Sequence, residues 1–460
     1  MLTTSKWSHI GTAGLLSLTL AVATGCEQLR EDLLAAEDPD IINPSSVTTP
    51  EAADALRIGA LERFRSVTAG GEGAWQDGGL LVDEWKSSNT FFQHNETDQR
   101  QVQESNSVIQ NMMRNLYRAR TNAREAILAL EKYKPEPVSN IAQMYFVIGF
   151  SELTLAETFC NGTPLGDASA GAPVYGPPLT NAEVFAVALA HLDTALAKST
   201  GTDSTAVSVR HASSVAKGRV LLNMGRFAEA ATAVAGVPTN FQWRVTFSLN
   251  AGSNNLWNLN TNAKRFTVGD SFDLGGLITN ALPFASAGDP RIPVTGTSGG
   301  TSPAGKGFDT STNFVFQRIW GRTDPTPVVS GLDARLIEAE VKLKVSNDIT
   351  GMMSTLNSLR ASAQNLGAVN TPVMAALPMP ANTAAATTLY FREKAFWTFG
   401  RGQRLPDLRR LVRQYSFTQD QVYPTGQFFK GGTYASDVNL PVTVDELNNP
   451  DFTACLDRNA

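Results

Sequence analysis

The sequence predicts a mainly α fold, a solenoid of helical pairs carrying an irregular, partly β insertion and long loops. Three observations carry this. Apolar residues recur at helical spacing through several long segments, and paired-helix patterns repeat about 115 residues apart. Between those pairs the chain turns to alternating stretches and to Gly, Asn, Pro and Ser.

The first element is a targeting segment. Lys6 precedes the apolar run GTAGLLSLTLAVATG, which is too short to span a bilayer and ends in small residues, so residues 1–25 read as a signal peptide. Ala23-Thr24-Gly25 followed by Cys26 resembles a bacterial lipobox, in which the Cys becomes the acylated N-terminus; Ala23 stands where Leu is usual. Residues 26–50 form an extended, lipid-anchored leader broken by Pro39, Pro44 and Pro50. Removing the signal leaves about 435 of 460 residues, enough for a large core.

Residues 51–239 read as an N-terminal helical region. From Ile109 to Tyr133 apolar residues keep the spacing of one buried helical face, and KPEP ends the run. Ile141 to Phe159 is apolar almost all round, which suits a helix at the centre of a bundle. LTNAEV (179–184) holds a start signal in which Thr180 caps, Glu183 returns the bond and Leu179 staples against Val184. In AKGRVLLNMGRFAEAATAV (216–234), the order Gly218, Leu221, Gly225, Phe227, Ala230 resembles a tetratricopeptide helix pair. LDARLIEAEVKLK (332–344) and MMSTLNSLRASA (352–363) form a second such pair in the helical region 331–415. The loop-rich insertion is 240–330, where FQWRVTFSLN and NFVFQRIW alternate as strands do. Residues 416–460 are an extended C-terminal segment.

Composition and motifs then narrow the function. FREKAFWTFGRGQRLPDLRRLVR (391–413) sets seven Arg and Lys residues against Glu393 and Asp407, with aromatics between them. In an exported chain of net charge −5, however, no nucleic acid is expected as a partner. GTSPAGKG (300–307) approximates a phosphate loop and GTSGG (296–300) a nucleophile elbow. Both motifs need a strand before and a helix after, which RIPVT and FDTSTNF do not supply, and Gly307 replaces the Ser or Thr that holds magnesium. His9, His94, His191 and His211 lack metal-ligand spacing, and Asp83, Glu84 and Asp98 offer nothing that any acidic loop would not. No catalytic residue, cofactor or metal is expected. With Cys26 acylated, Cys160 and Cys455 remain as an even pair in an oxidising compartment. A bridge between them would tie down the tail and contribute on the order of 4–5 kcal/mol through loop entropy.

Several stretches carry a family resemblance. IAQMYFVIGFSELTLAETFCNGTPL (141–165) is similar to the long helix and Gly-x-Pro-Leu turn of the SusD/RagB family, and Asp289-Pro290-Arg291 to its Asp-x-Arg element. ARLIEAEVKLK and LNSLR (356–360) resemble its later paired helices. FREKAFWTFGRGQRLPDLRRL resembles its Arg-Glu pair and Gly-x-Arg-x-x-Asp-Leu-x-Arg, through Arg392, Glu393, Gly402, Arg404, Asp407, Leu408 and Arg410. LPVTVDELNNPDF (440–452) looks like its terminal segment, with Pro441, Glu446, Asn449 and Pro450. Arg401 departs, standing where an acidic residue usually precedes the Gly, which implies an ion pair altered or lost there.

The resemblance implies a non-enzymatic, surface-exposed lipoprotein of the outer membrane. It would capture an oligosaccharide or peptide nutrient and act as a lid on a SusC-like TonB-dependent transporter. Two other readings stand beside it: a lipid-anchored secreted glycoside hydrolase or lyase, and a tetratricopeptide-type protein-binding scaffold. The basic stretch then reads as structural, with Arg404 and Asp407 paired at i, i+3, Arg392 reaching the neighbours of Glu393, and Arg410 in the same buried network. A sugar site needs aromatic faces beside amides and charges. Of the six tryptophans after the signal, only Trp397 falls in a predicted helix. AWQDGGLLVDEWKSSNTFFQHN (74–95) is the expected site, with Trp85 and Phe92 stacking, Asn89 as polar partner, and Trp75 and Phe91 beside them. Trp243, Trp257 and Trp320 place the insertion second.

Overall fold

Most of the long helices begin on a side chain suited to the start. The computed structural model describes residues 47–170, 173–296 and 304–460. In it Thr49, Asn106, Thr180, Asp203, Ser330, Asp348 and Asn382 accept bonds from first-turn N–H groups. Thr180 and Glu183 form the expected capping box. The signal peptide, Cys26, most of the leader and residues 297–303 of the two rejected motifs lie outside the described residues.

The fold is mainly α. Its helices are α1 (Pro50–Ser66), α2 (Ala74–Leu81), α3 (Phe92–Asp98), α4 (Ser107–Tyr133), α5 (Val138–Thr158) and α6 (Asn181–Lys198). They continue as α7 (Ser204–Asn223), α8 (Phe227–Val234), α9 (Gly331–Ser346), α10 (Ile349–Arg360), α11 (Thr383–Thr398) and α12 (Arg404–Tyr415). Helix α5 is buried almost all round and packs on α4, α6 and α7, as an all-apolar helix must. The two tetratricopeptide-like pairs are α7–α8 and α9–α10, and α8 packs on α9 to join them. Gly218 permits this approach, because a Cβ there would lie 2.6 Å from Val234 Cγ1 and 3.0 Å from Ile337 Cδ1. Residues 48–460 form one unit, and among its described residues no helix is long and apolar enough to cross a membrane.

Short antiparallel ladders brace the insertion. Strand β1 (Trp85–Ser87) pairs with β3 (Phe266–Val268), setting Trp85 opposite Val268. Strand β2 (Gln242–Val245) pairs with β4 (Thr326–Ser330), setting Gln242 opposite Ser330. The segment expected as an open loop is therefore built from α2, β1 and the start of α3; three-residue strands leave no periodic signal. The Cys160–Cys455 bridge is formed, with Cα atoms 6.1 Å apart. Beside it Cys160 N donates to Leu440 O at 2.9 Å and Leu456 N to Asn161 O at 2.8 Å, which lays the tail along the end of α5.

The basic stretch forms α11, a turn and α12, and most of its buried charges meet an opposite charge, while Arg409 is held by the carbonyls of Ala156, Glu157 and Phe159. Arg291, from the Asp-Pro-Arg element, forks onto Glu393 at 2.7 and 3.0 Å and onto Asp289 at 2.8 and 2.6 Å. Arg360 joins at Glu393, 3.1 Å away. Arg404 does not pair with Asp407 as the spacing suggested. It opens α12, so its side chain leaves the helix start and forks onto Asp83 at 2.7 and 2.9 Å. Asp407 is held instead by Lys394 at 2.6 Å and Arg410 at 3.3 Å, and Arg410 also reaches Glu340. Arg392 is half-buried and lies 4.9 Å over the ring of Phe396, on the next turn of α11, which Arg291, the partner of Glu393, also faces at 5.2 Å. Arg401 keeps a buried ion pair after all, forking onto Asp333 at 3.2 and 2.6 Å.

Candidate functional site

The tryptophans do not form the site. Trp75 and Trp85 are only 2% and 1% exposed, and both cover the Gly400-Arg401-Gly402 turn. Gly400 and Gly402 have φ of +67° and +66°, which glycine adopts without strain. A Cβ at Gly402 would come within 2.4 Å of Trp75 Cδ1, and one at Gly400 within 3.3 Å of Trp85 Cζ2. The bare turn makes room for two large rings, and burying them there gains more than exposing them. Trp85 and Trp75 are thus core plugs rather than stacking residues. Trp243, Trp320 and Trp397 are buried too, and Trp257 is half-buried.

The open rings of this segment and its neighbours are phenylalanines. Phe91 and Phe92 are 50% and 68% exposed, and Phe308 from the insertion is 47% exposed. Between two of them lies Arg265, its guanidinium carbon 5.0 Å from the centre of Phe91 and 4.5 Å from that of Phe308. Asn89 is buried and does not face a ligand. It orients the others: its Oδ1 accepts from Arg265 Nη1 at 3.2 Å, Thr90 N at 2.8 Å and Phe91 N at 3.4 Å. Phe308 N donates to Lys264 O at 2.8 Å, which joins the two insertion loops. Lys430 donates to Asn89 O and Asn95 Oδ1, both at 2.9 Å, and pairs with Asp309 at 2.8 Å. Burial alone would raise the Asp309 carboxyl, but bonds from Lys430, Thr312 and backbone N–H groups outweigh it and hold it at about 2. Asp309 is therefore an anion committed to Lys430.

Four separate segments thus make one aromatic and polar surface. Sequence reasoning reached Phe91 and Phe92 but not Phe308, Arg265 or Lys430. Phe308 had one signal, an aromatic closing a Gly/Ser run; Arg265 and Lys430 had none.

Behind the rings lies a partly buried cluster. Glu72, Asp77 and His94 bring one potential ligand atom each within 4.8 Å of one another. The three donors on Asn89 Oδ1 fix its amide, so Nδ2 donates to His94 Nδ1 at 2.6 Å. The imidazole proton then sits on Nε2 and is donated to Glu72. With both nitrogens engaged, His94 has no lone pair for a metal, and two carboxylates remain where zinc sites use at least three protein ligands. Asp77 is wholly buried with no bond to either oxygen, and burial, then the nearby Glu72, push its carboxyl well above its ordinary value. The cluster fixes Asn89, and through it Arg265.

No protein-family model and no curated protein matches the sequence. Solved structures do. A SusD superfamily protein from Bacteroides vulgatus is 15% identical, with a TM-score of 0.60, over 90% of this chain and 100% of its own. The fold is SusD-like. A SusD superfamily protein from Bacteroides fragilis is 14% identical with a TM-score of 0.60, over 88% of this chain and 99% of its own. A laminarin-binding SusD-like protein is 15% identical with a TM-score of 0.59, over 89% of this chain and 99% of its own. The SusD-like fold thus covers most of this chain.

Proposed function

We propose that the chain belongs to the SusD/RagB family and is a non-enzymatic, lipid-anchored outer-membrane protein. It captures a nutrient oligosaccharide and delivers it to a SusC-like TonB-dependent transporter. The observation that carries this is the cluster of exposed Phe91, Phe92 and Phe308 around Arg265 on a SusD-like fold. Flat aromatic faces take the C–H faces of sugar rings, and the neighbouring N–H groups meet hydroxyls. That a protein of the same fold is named for laminarin binding supports a saccharide as ligand.

Calorimetry against a glycan and peptide panel should lose its signal in the Phe91→Ala/Phe92→Ala/Phe308→Ala variant while circular dichroism stays unchanged. Binding that survives all three changes moves the site, first to the cleft of about 400 Å³ beside Trp243 and Arg244. Turnover of a labelled oligosaccharide would favour the hydrolase or lyase reading instead. The anchor is tested separately. Mass spectrometry of the mature chain should find an acylated Cys26, and Cys26→Ala should leave the protein soluble or unprocessed. An unmodified N-terminus ends the lipoprotein reading.

A further inference from the structure

Charge is distributed unevenly between the interior and this surface. The chain carries a net charge of −5, and in its core Arg291, Arg401, Arg404 and Arg410 each meet a carboxylate. Arg100 and Arg409 are the buried exceptions, held by backbone carbonyls, and around the exposed rings the unanswered cations are open or partly open to solvent. Lys264, Arg265 and Lys306 lie on the two joined insertion loops, and among the described residues none of them is paired with a carboxylate. Their partners are neutral: Arg265 meets Asn89 and two rings, Lys306 bonds Asn313 Oδ1 at 2.8 Å and Ser311 O at 2.9 Å, and Lys264 lies 5.8 Å over the Phe314 ring. The nearby anions are committed, Asp309 to Lys430 and Glu72 to His94. Nη2 and Nε of Arg265 make no bond within the described protein.

We infer that the saccharide bound on the Phe91–Arg265–Phe308 surface is anionic, its uronate or sulfate group held by Arg265 with Lys264 and Lys306 around it. The inference rests on reading this surface as the saccharide site. A guanidinium is the side chain best shaped to fork onto a carboxylate or sulfate, and its two flanking rings hold it in place without neutralising it. Asn89 fixes its remaining edge. A neutral glucan would offer hydroxyls to these N–H groups but no charge to answer three cations that lack a carboxylate.

The test uses the full chain on an array of neutral, uronate-bearing and sulfated oligosaccharides, followed by calorimetry on the best ligand and its uncharged counterpart, the methyl ester or the desulfated form. The charged form is expected to bind at least about tenfold more tightly, and to weaken as salt rises from about 20 to 200 mM. The Arg265→Gln variant should remove most of that preference, so that the charged and uncharged forms bind with similar affinity. Uronate and sulfate arms separate the two sources of charge. Array hits confined to neutral saccharides, or an Arg265→Gln variant with full preference, would overturn the inference and leave the saccharide reading standing. Absence of any saccharide binding would overturn both.

Discussion

Replacing Asp83 by Ala is expected to destabilise the protein by about 3–5 kcal/mol, the cost of leaving a buried guanidinium without its carboxylate. Arg404 and Asp83 are 5% and 4% exposed, and the fork between them links the start of α12 to the loop after α2. Asp83 also accepts the backbone N–H of Leu282 at 2.7 Å, so its loss strands a second donor. Asp407→Ala should cost less, because its partners Arg410 and Lys394 both keep Glu340, Lys394 at 4.0 Å. Urea denaturation of the two variants distinguishes these partners. A large loss in Asp407→Ala with a small one in Asp83→Ala would restore the pairing that the i, i+3 spacing suggested. Because the cost belongs to the stranded charge, Asp83→Leu combined with Arg404→Met should recover much of it.

The contrast between these two aspartates shows what was legible in the sequence and what was not. Helices α4 to α10 could be read because each carries a long apolar period or a capping residue within a few positions, and the fold class follows from those local signals. The identity of the basic stretch as buried scaffold was legible as well, from the family resemblance. Its pairings were not. Asp83 lies 321 residues from Arg404, and nothing local distinguishes it from Asp407. The candidate site failed to show itself for the same reason. Trp85 and Trp75 looked like sugar-stacking residues in a polar loop because the glycines they cover lie more than 300 residues onward, at 400 and 402. Phe91 and Phe92 were found beside them, yet Arg265 and Phe308 join them only through contacts between the 89–92 segment and the insertion. Periodicity reports which face of an element is buried, and is silent on which distant loops share an exposed one.

Removing the Cys160–Cys455 bridge, as in the Cys160→Ser/Cys455→Ser variant, is expected to lower stability by an amount on the order of 5 kcal/mol at most. The cross-link spans 295 residues, so it closes a very large loop and removes much of the freedom of the unfolded chain. The figure is an upper one because unfolded chains keep residual compactness, which already limits that freedom. The folded tail should respond more selectively than the total. Without the bridge, the end of the chain is still held by Asn161 Nδ2 on the Asp457 carboxylate at 2.9 and 3.0 Å and by Arg458 on Asn439 at 2.8 Å. These contacts are half-buried or exposed to solvent, whereas Leu440 and Val442 are fully buried. Hydrogen exchange in the variant should therefore rise first over residues 452–460, less at 440–442, and hardly at all in α5, where Ile148 and Leu153 hold the core. Two free thiols titrated in denatured, unreduced wild-type protein would remove the bridge and its stabilisation together. Equal loss of protection in α5 and in the tail would instead mean that the bridge supports the central helix, and that the C-terminal segment is part of the core rather than a strap laid across it.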